Sequence, residues 1–340
     1  MAMLFLVGCG ANNDGPARLE NYAQRLARAN DRDLPPLLPI NLPRVSQAQL
    51  KRLPVAPLKI DLIDFLALSG CQLQVNIGRR NSALGRVASA SQQLLLDLEF
   101  LQLAPACIQH LRKQDEHNLA TVLEQARQQR QQTLANQLYN AILAGTEWRQ
   151  FWAIPQALGA YPDNINGDPI DAIFALADAS QRWLSGDYEA DNLVFEGHLA
   201  TVRGGDGGAL LLAASTVGSR LTQTNGLLTR DAEQPLCGNN RAPERVRVSE
   251  RVISQFFIAE VQPWITQVNR RNQDLLVALE QLEQALDEVI PTEYRQWQSR
   301  RDALLRVLSS ASRQHVAQLK QYFAGCPGAL WEATRPSAQT

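Results

Sequence analysis

Cysteine is the residue type in this chain with the most definite chemistry. Leu6-Val7-Gly8-Cys9 ends a short apolar run that starts at Met1, and small residues just before a cut mark an exported leader. A cysteine at that point reads as a bacterial lipobox. Its thiol would be lipidated, and Cys9 would become the first residue of the mature chain. No Lys or Arg precedes the run, whereas such leaders open on a basic stretch; a start codon further upstream would supply one. The competing reading is a short buried strand, which a brief apolar run also suits. The residues that follow, Gly10-Ala11-Asn12-Asn13-Asp14-Gly15-Pro16, are small, polar and turn-forming, as a tether between an anchor and a folded body would be. By resemblance to known lipoproteins, Gly10 in place of an Asp favours the outer membrane over inner-membrane retention.

Four further cysteines remain: Cys71, Cys107, Cys237 and Cys326. An even remainder in an exported chain points to disulfides, and four cysteines allow three connectivities. Neighbour pairing, Cys71 with Cys107 and Cys237 with Cys326, is the first choice. On the chain-entropy account the two loops would contribute about 4 and about 4.5 kcal/mol as upper estimates. Four buried thiols in a cytosolic helical protein are the alternative. There is no Cys-x-x-Cys and no close Cys/His set, so no zinc site is expected.

Other chemistry-bearing types are scattered. His110, His117, His198 and His315 form no His-Glu-x-x-His, and no Gly-x-Ser-x-Gly occurs. Gly204–Gly208 lacks the Gly-Lys-Ser/Thr ending of a phosphate loop and reads as a flexible connection between helices. Asp163, Asn166 and Asp168 do not alternate as calcium ligands do and read as turn and cap residues. No catalytic residue, metal or cofactor is therefore assigned. The most specific polar stretch runs from Ile77 to Val87. Arg79, Arg80 and Arg86, with Asn81 and Ser82, form a candidate anion-binding surface, since guanidinium forks suit anionic oxygens. The plainer reading has them cap helix ends and bridge to nearby carboxylates.

The elements that must position these residues are mostly helical. The chain has 340 residues, 45% hydrophobic, and a formal net charge of −1, which is ample for a large core and carries no electrostatic footprint for nucleic acid. No segment reaches the roughly 20 apolar residues of a membrane helix. Asp14 and Pro16 open a first helix with Leu19, Tyr22, Ala23, Leu26 and Ala27 on one stripe. The prolines between Leu34 and Pro43 exclude helix and predict an extended crossing. Ser46 caps a short helix through Leu53. Later helices are expected from Leu58 to about Gly78, from Ser89 to about Lys113 with a kink at Pro105, and from Asn118 to Leu143. Trp148, Phe151 and Trp152 make an aromatic cluster. After a break at Tyr161–Pro169, Asp168 and Pro169 start a helix to about Leu184. Two helical segments flank the glycine run. The last helices span about Glu244–Leu286, with breaks at Pro263 and near Asn272, and Pro291–Phe323.

The expected fold is an irregular all-α multi-helix bundle with long helices, stapled by disulfides. It comprises a signal remnant at 1–9, a tether at 10–16, a helical body at 17–330 with a candidate lobe boundary at 161–168, and a flexible tail at 331–340.

Asp64-Phe65-Leu66-Ala67-Leu68-Ser69-Gly70-Cys71-Gln72-Leu73 and Gly78-Arg79-Arg80-Asn81-Ser82-Ala83-Leu84-Gly85-Arg86-Val87 also carry a family resemblance, with Pro235-Leu236-Cys237 and Phe257–Trp264. They resemble the uncharacterised domain of unknown function 3080 family, from about Arg18 to Cys326. The resemblance implies a gammaproteobacterial lipoprotein with no assigned activity. It supports the anchor and supplies no catalytic residue. The expectation is a periplasm-facing protein held to the membrane through its N-terminal lipid, with a binding or envelope-interaction role and an envelope protein as a candidate partner. An envelope hydrolase whose residues converge only in three dimensions, and a cytosolic helical scaffold, are the alternatives.

Overall fold

Apolar residues recurring every three to four positions dictate helix along most of the body, and every regular element among the described residues is helical. The structure, a computed structural model, describes residues 14–46, 50–55, 68–165, 167–229, 236–237 and 242–326. Cys9 and its lipobox, the start of the tether, residues 58–67 and the tail at 331–340 lie outside them. Helix α1, Gly15–Ala29, buries Leu19, Tyr22, Ala23, Leu26 and Ala27 as the stripe predicts. It takes Gly15 and Pro16 from the end of the expected tether. Proline is tolerated there because the first N–H groups of a helix have no intrahelical acceptor.

Residues 34–46 are without regular structure, as their prolines require. This strap is pinned at three carbonyls. Pro35 O accepts from Gln223 Nε2 at 2.6 Å, Ile40 O from Ser215 Oγ at 3.2 Å and Pro43 O from Trp297 Nε1 at 2.8 Å. The short helix expected to end at Leu53 is absent from 51–55. There the Leu53 backbone pairs with the Asn140 amide instead, at 2.7 and 2.9 Å.

Of the helix expected from Leu58 to about Gly78, the described part is a turn at residues 68–70 followed by helix; Gly70 has a φ of +90°, which costs glycine little. Cys71 is the N-cap of α2, Gln72–Asn81, which absorbs Arg79, Arg80 and Asn81. Ser82 caps the short α3, Ala83–Arg86, by accepting from Gly85 N at 3.0 Å. Then come α4, Ala90–Lys113, continuous through Pro105, and α5, His117–Ala141. They are followed by α6, Thr146–Phe151, α7, Asp168–Leu184, α8, Asn192–Arg203, and α9, Gly207–Leu227. Helix α10, Glu244–Val252, passes through a π-helical stretch, Ile253–Val261, into α11, Gln262–Ala285. Neither expected break occurs. A proline ring crowds the carbonyl four residues back in α geometry, and the wider π turns end just ahead of Pro263. Asn272 is buried and donates to Leu305 O at 3.3 Å. Helix α12, Thr292–Tyr322, closes the body.

Two hydrophobic cores form among the described residues. The larger draws Leu19 from α1, Tyr139 from α5, Leu176 from α7, Leu211 from α9 and Leu305 from α12. The smaller joins Leu73 and Ile77 of α2 to the outer ends of the α4/α5 pair, including Ile108, Leu111 and Leu123. The candidate boundary at 161–168 falls inside the larger core. The second core lies instead at the far end of α4 and α5. Both disulfides form in the neighbour pairing: Cys71–Cys107 with Cα atoms 5.5 Å apart, inside the smaller core, and Cys237–Cys326 at 5.2 Å, against the larger.

Candidate functional site

The structure places the five residues of the predicted anion surface along one flank of the smaller core. Helix α2 lies antiparallel on α4. Cys71 meets Cys107, Asn76 Nδ2 reaches Leu96 O at 2.9 Å and Glu99 at 2.8 Å, and Arg80 pairs with Asp97. Arg79 pairs with Glu99, and Arg130 from α5 reaches the second Asp97 oxygen at 3.2 Å. Burial raises the Asp97 carboxyl pKa, opposed by Arg130 and Arg80. Ser82 caps α3 and donates to Arg79 O at 2.7 Å, while Arg86 donates to Asn81 O at 3.1 Å. The five residues thus share a stretch of chain without converging on one cradle. Arg79 and Arg80 are engaged by carboxylates one helix away. An anion approaching Arg79 in the adjoining 350 Å³ groove meets Glu99 as well.

A larger polar site lies where α11 faces α12. On α12, Tyr294, Trp297 and Arg301 follow helical spacing and turn inward together. Arg301 donates to both oxygens of Glu283, at 2.5 and 2.8 Å, and through Nε to Asp302 at 2.7 Å. Tyr294 OH and Gln298 Nε2 supply two more bonds to Glu283, at 2.8 and 2.7 Å. Trp148 Nε1 donates to the Tyr294 oxygen at 3.2 Å. The guanidinium lies 5.3 Å from the Trp152 ring and 5.2 Å from that of Trp297, within cation–π reach. Burial works against the Arg301 charge, but Glu283 outweighs it and holds the pKa above the ordinary value.

The pair floors a cleft of about 640 Å³, whose walls add Glu280, Gln284, Asp287, Asp302 and Arg306. Each Glu283 oxygen already accepts two bonds, which leaves it no lone pair aimed at a substrate proton. The lining contains no Ser, Thr, Cys, Lys or His. The arrangement can recognise polar groups through amides and charges of both signs.

Two other polar networks bind elements together. His315 lies fully buried between α1 and α9. Its Nδ1 is 2.6 Å from Asn225 Oδ1 and its Nε2 2.8 Å from Tyr22 OH. An amide oxygen can only accept, so Nδ1 carries the proton and Nε2 accepts from Tyr22. Burial pulls the His315 pKa down to about 3. Asp206, in the glycine run, accepts from Tyr161 OH at 2.9 Å and from Arg271 at 2.6 and 3.0 Å. The run is not the flexible connection expected of it. A Cβ on Gly207 would stand 2.5 Å from the Phe151 ring, and one on Gly208 1.9 Å from Ala153 O. Among the described residues, no group of three or more His, Cys, Asp and Glu is placed to hold a metal.

Glu283 and Arg301 escaped the sequence reading because each resembles a solvated charge on an amphipathic helix. The available signal was register: Arg301 falls one turn after Trp297 on the stripe that continues through Leu305 and Leu308.

The family profile described as protein of unknown function (DUF3080) matches residues 19–328. No curated protein and no solved structure gives a match.

Proposed function

The chain belongs to the DUF3080 family, and on that premise we propose that it is a lipid-anchored protein of the bacterial envelope, facing the periplasm and working by binding. The carrying observation is the pairing of all four cysteines other than Cys9 into two disulfides. Such bonds persist in oxidising compartments and are rare in the cytosol. The lipobox at Cys9 and the turn-rich residues after it support the anchor, with Gly10 favouring the outer membrane. No helix among the described residues is long and apolar enough to cross a membrane, so attachment on this reading rests on acyl chains, which hold stably when more than one is present. The polar cleft over Glu283 and Arg301 supports recognition of a ligand or an envelope partner.

The test is incorporation of labelled palmitate by bacteria expressing the full chain or its Cys9→Ser variant. Label and membrane fractionation in the wild type, with both lost in the variant, are expected. An unlabelled wild type that fractionates like Cys9→Ser would overturn the reading.

A further inference from the structure

A second groove runs along α12 on the face opposite the polar cleft. At 3.6 residues per turn, Arg300, Ala303, Leu304 and Val307 fall on the side away from Gln298, Arg301, Asp302 and Arg306. The proline-rich strap forms its other wall, and the groove, open to solvent along its length, has a volume of about 670 Å³, within the about 300–1,000 Å³ usual for small-molecule sites. The groove is built rather than incidental. Gln223, Ser215 and Trp297 hold the strap by its carbonyls, which turns its polar backbone inward. A Cβ on Gly218 would stand 2.5 Å from Val307 Cγ1 and 2.8 Å from Ile40 Cδ1, so glycine on α9 is what lets strap and helix close over it.

The groove is polarised. Pro43 is bonded to Trp297, one turn before Arg300, while Ile40 and Val307 meet over Gly218. The strap therefore runs antiparallel to α12. Arg44 and Arg300 share one end, and Ile40 and Val307 mark the other. Both arginines are exposed; neither has a carboxylate partner among the described residues, and no acidic residue lines the groove.

We propose that this groove binds a medium-chain fatty acid: from Arg300 to Val307 the wall is about 10 Å long at 1.5 Å per residue, the length of about eight carbons. Arg44 and Arg300 hold the carboxylate by charge-assisted hydrogen bonds, and the alkyl chain lies over Leu42, Leu304 and Val307 towards Ile40. A concave site walled on both sides takes up a single chain, where a membrane-facing surface would present a flat apolar patch. The inference gives the binding reading a ligand class. It concerns the purified, disulfide-bonded protein, so its failure leaves the anchor untouched, and failure of the anchor leaves it standing.

The experiment is calorimetric titration with monomeric octanoate and, as the uncharged control, 1-octanol. Saturable binding of one octanoate is expected, at least about tenfold tighter than the alcohol and weakened at least about tenfold in Arg44→Gln/Arg300→Gln. Ala303→Phe, at an exposed position on the groove wall, should block uptake. Unchanged thermal unfolding of these surface variants shows that they are folded. No octanoate binding, equal affinity for the alcohol, or undiminished affinity in the arginine variant overturns the proposal. So does sedimentation with phosphatidylglycerol vesicles in a protein that takes up no octanoate, which would make the face a membrane contact.

Discussion

Arg301 and Glu283 are 1% and 3% exposed, and a charge so buried is stable only while its partner remains. Removing one member of a buried pair strands the other, at a cost of about 3–5 kcal/mol. Arg301→Met should therefore lose stability on that order in urea titrations, and Arg301→Met/Glu283→Leu should recover much of the loss. His315 makes the corresponding prediction for pH. Its pKa is about 3 in the fold and about 6.5 when unfolded. Between those values the unfolded chain binds the extra proton, so stability rises with pH across the window and falls as pH drops from 6.5 towards 3. The loss between pH 6.5 and pH 5 should be about 2 kcal/mol, and a titration of unfolding free energy in His315→Gln should lack it. At this scale the cysteines were the legible residues: an even remainder of four pointed to two disulfides, and neighbour pairing, one of three connectivities, is the one that forms. A buried His or Arg was not, because its partners come from helices far away in sequence.

Helical elements were legible from periodicity, and α1, α5 and α12 sit within a few residues of their expected spans. The errors fall at glycines and at tertiary contacts. At Gly70 the chain makes a turn where the expected helix would run on, because its φ of +90° lies outside helical geometry, which apolar spacing does not register. The run from Gly204 to Gly208 marks a connection correctly, but nothing local reveals that Phe151 and Ala153 press against it. Gly208→Ala tests that reading. A methyl placed 1.9 Å from Ala153 O forces backbone to shift, and overpacking of this kind costs about 1–3 kcal/mol. A lowered unfolding midpoint is expected, whereas Gly197→Ala on α8, which meets nothing within 4 Å, should be neutral or stabilising.

Across the whole molecule, the turn-forming residues at 161–168, Pro162 and Gly167 among them, fitted either a division between lobes or a long loop in one bundle, since a chain break signals a turn and says nothing of which core lies on either side. The second core is set by α2 folding back on α4, a long-range pairing fastened by Cys71–Cys107. A Cys71→Ser/Cys107→Ser variant should show faster amide exchange through 68–126, with the larger core protected as before. Uniform loss of protection would mean that the two cores unfold as one. Export, anchoring and oxidation, proposed together for this chain, can be read in a single experiment: intact mass spectrometry of the protein from its native membrane, alkylated without reductant. An acylated N-terminus at Cys9, with Cys71, Cys107, Cys237 and Cys326 all unalkylated, is the predicted result; an unprocessed chain carrying Met1 or Met3 and four alkylated thiols would contradict it.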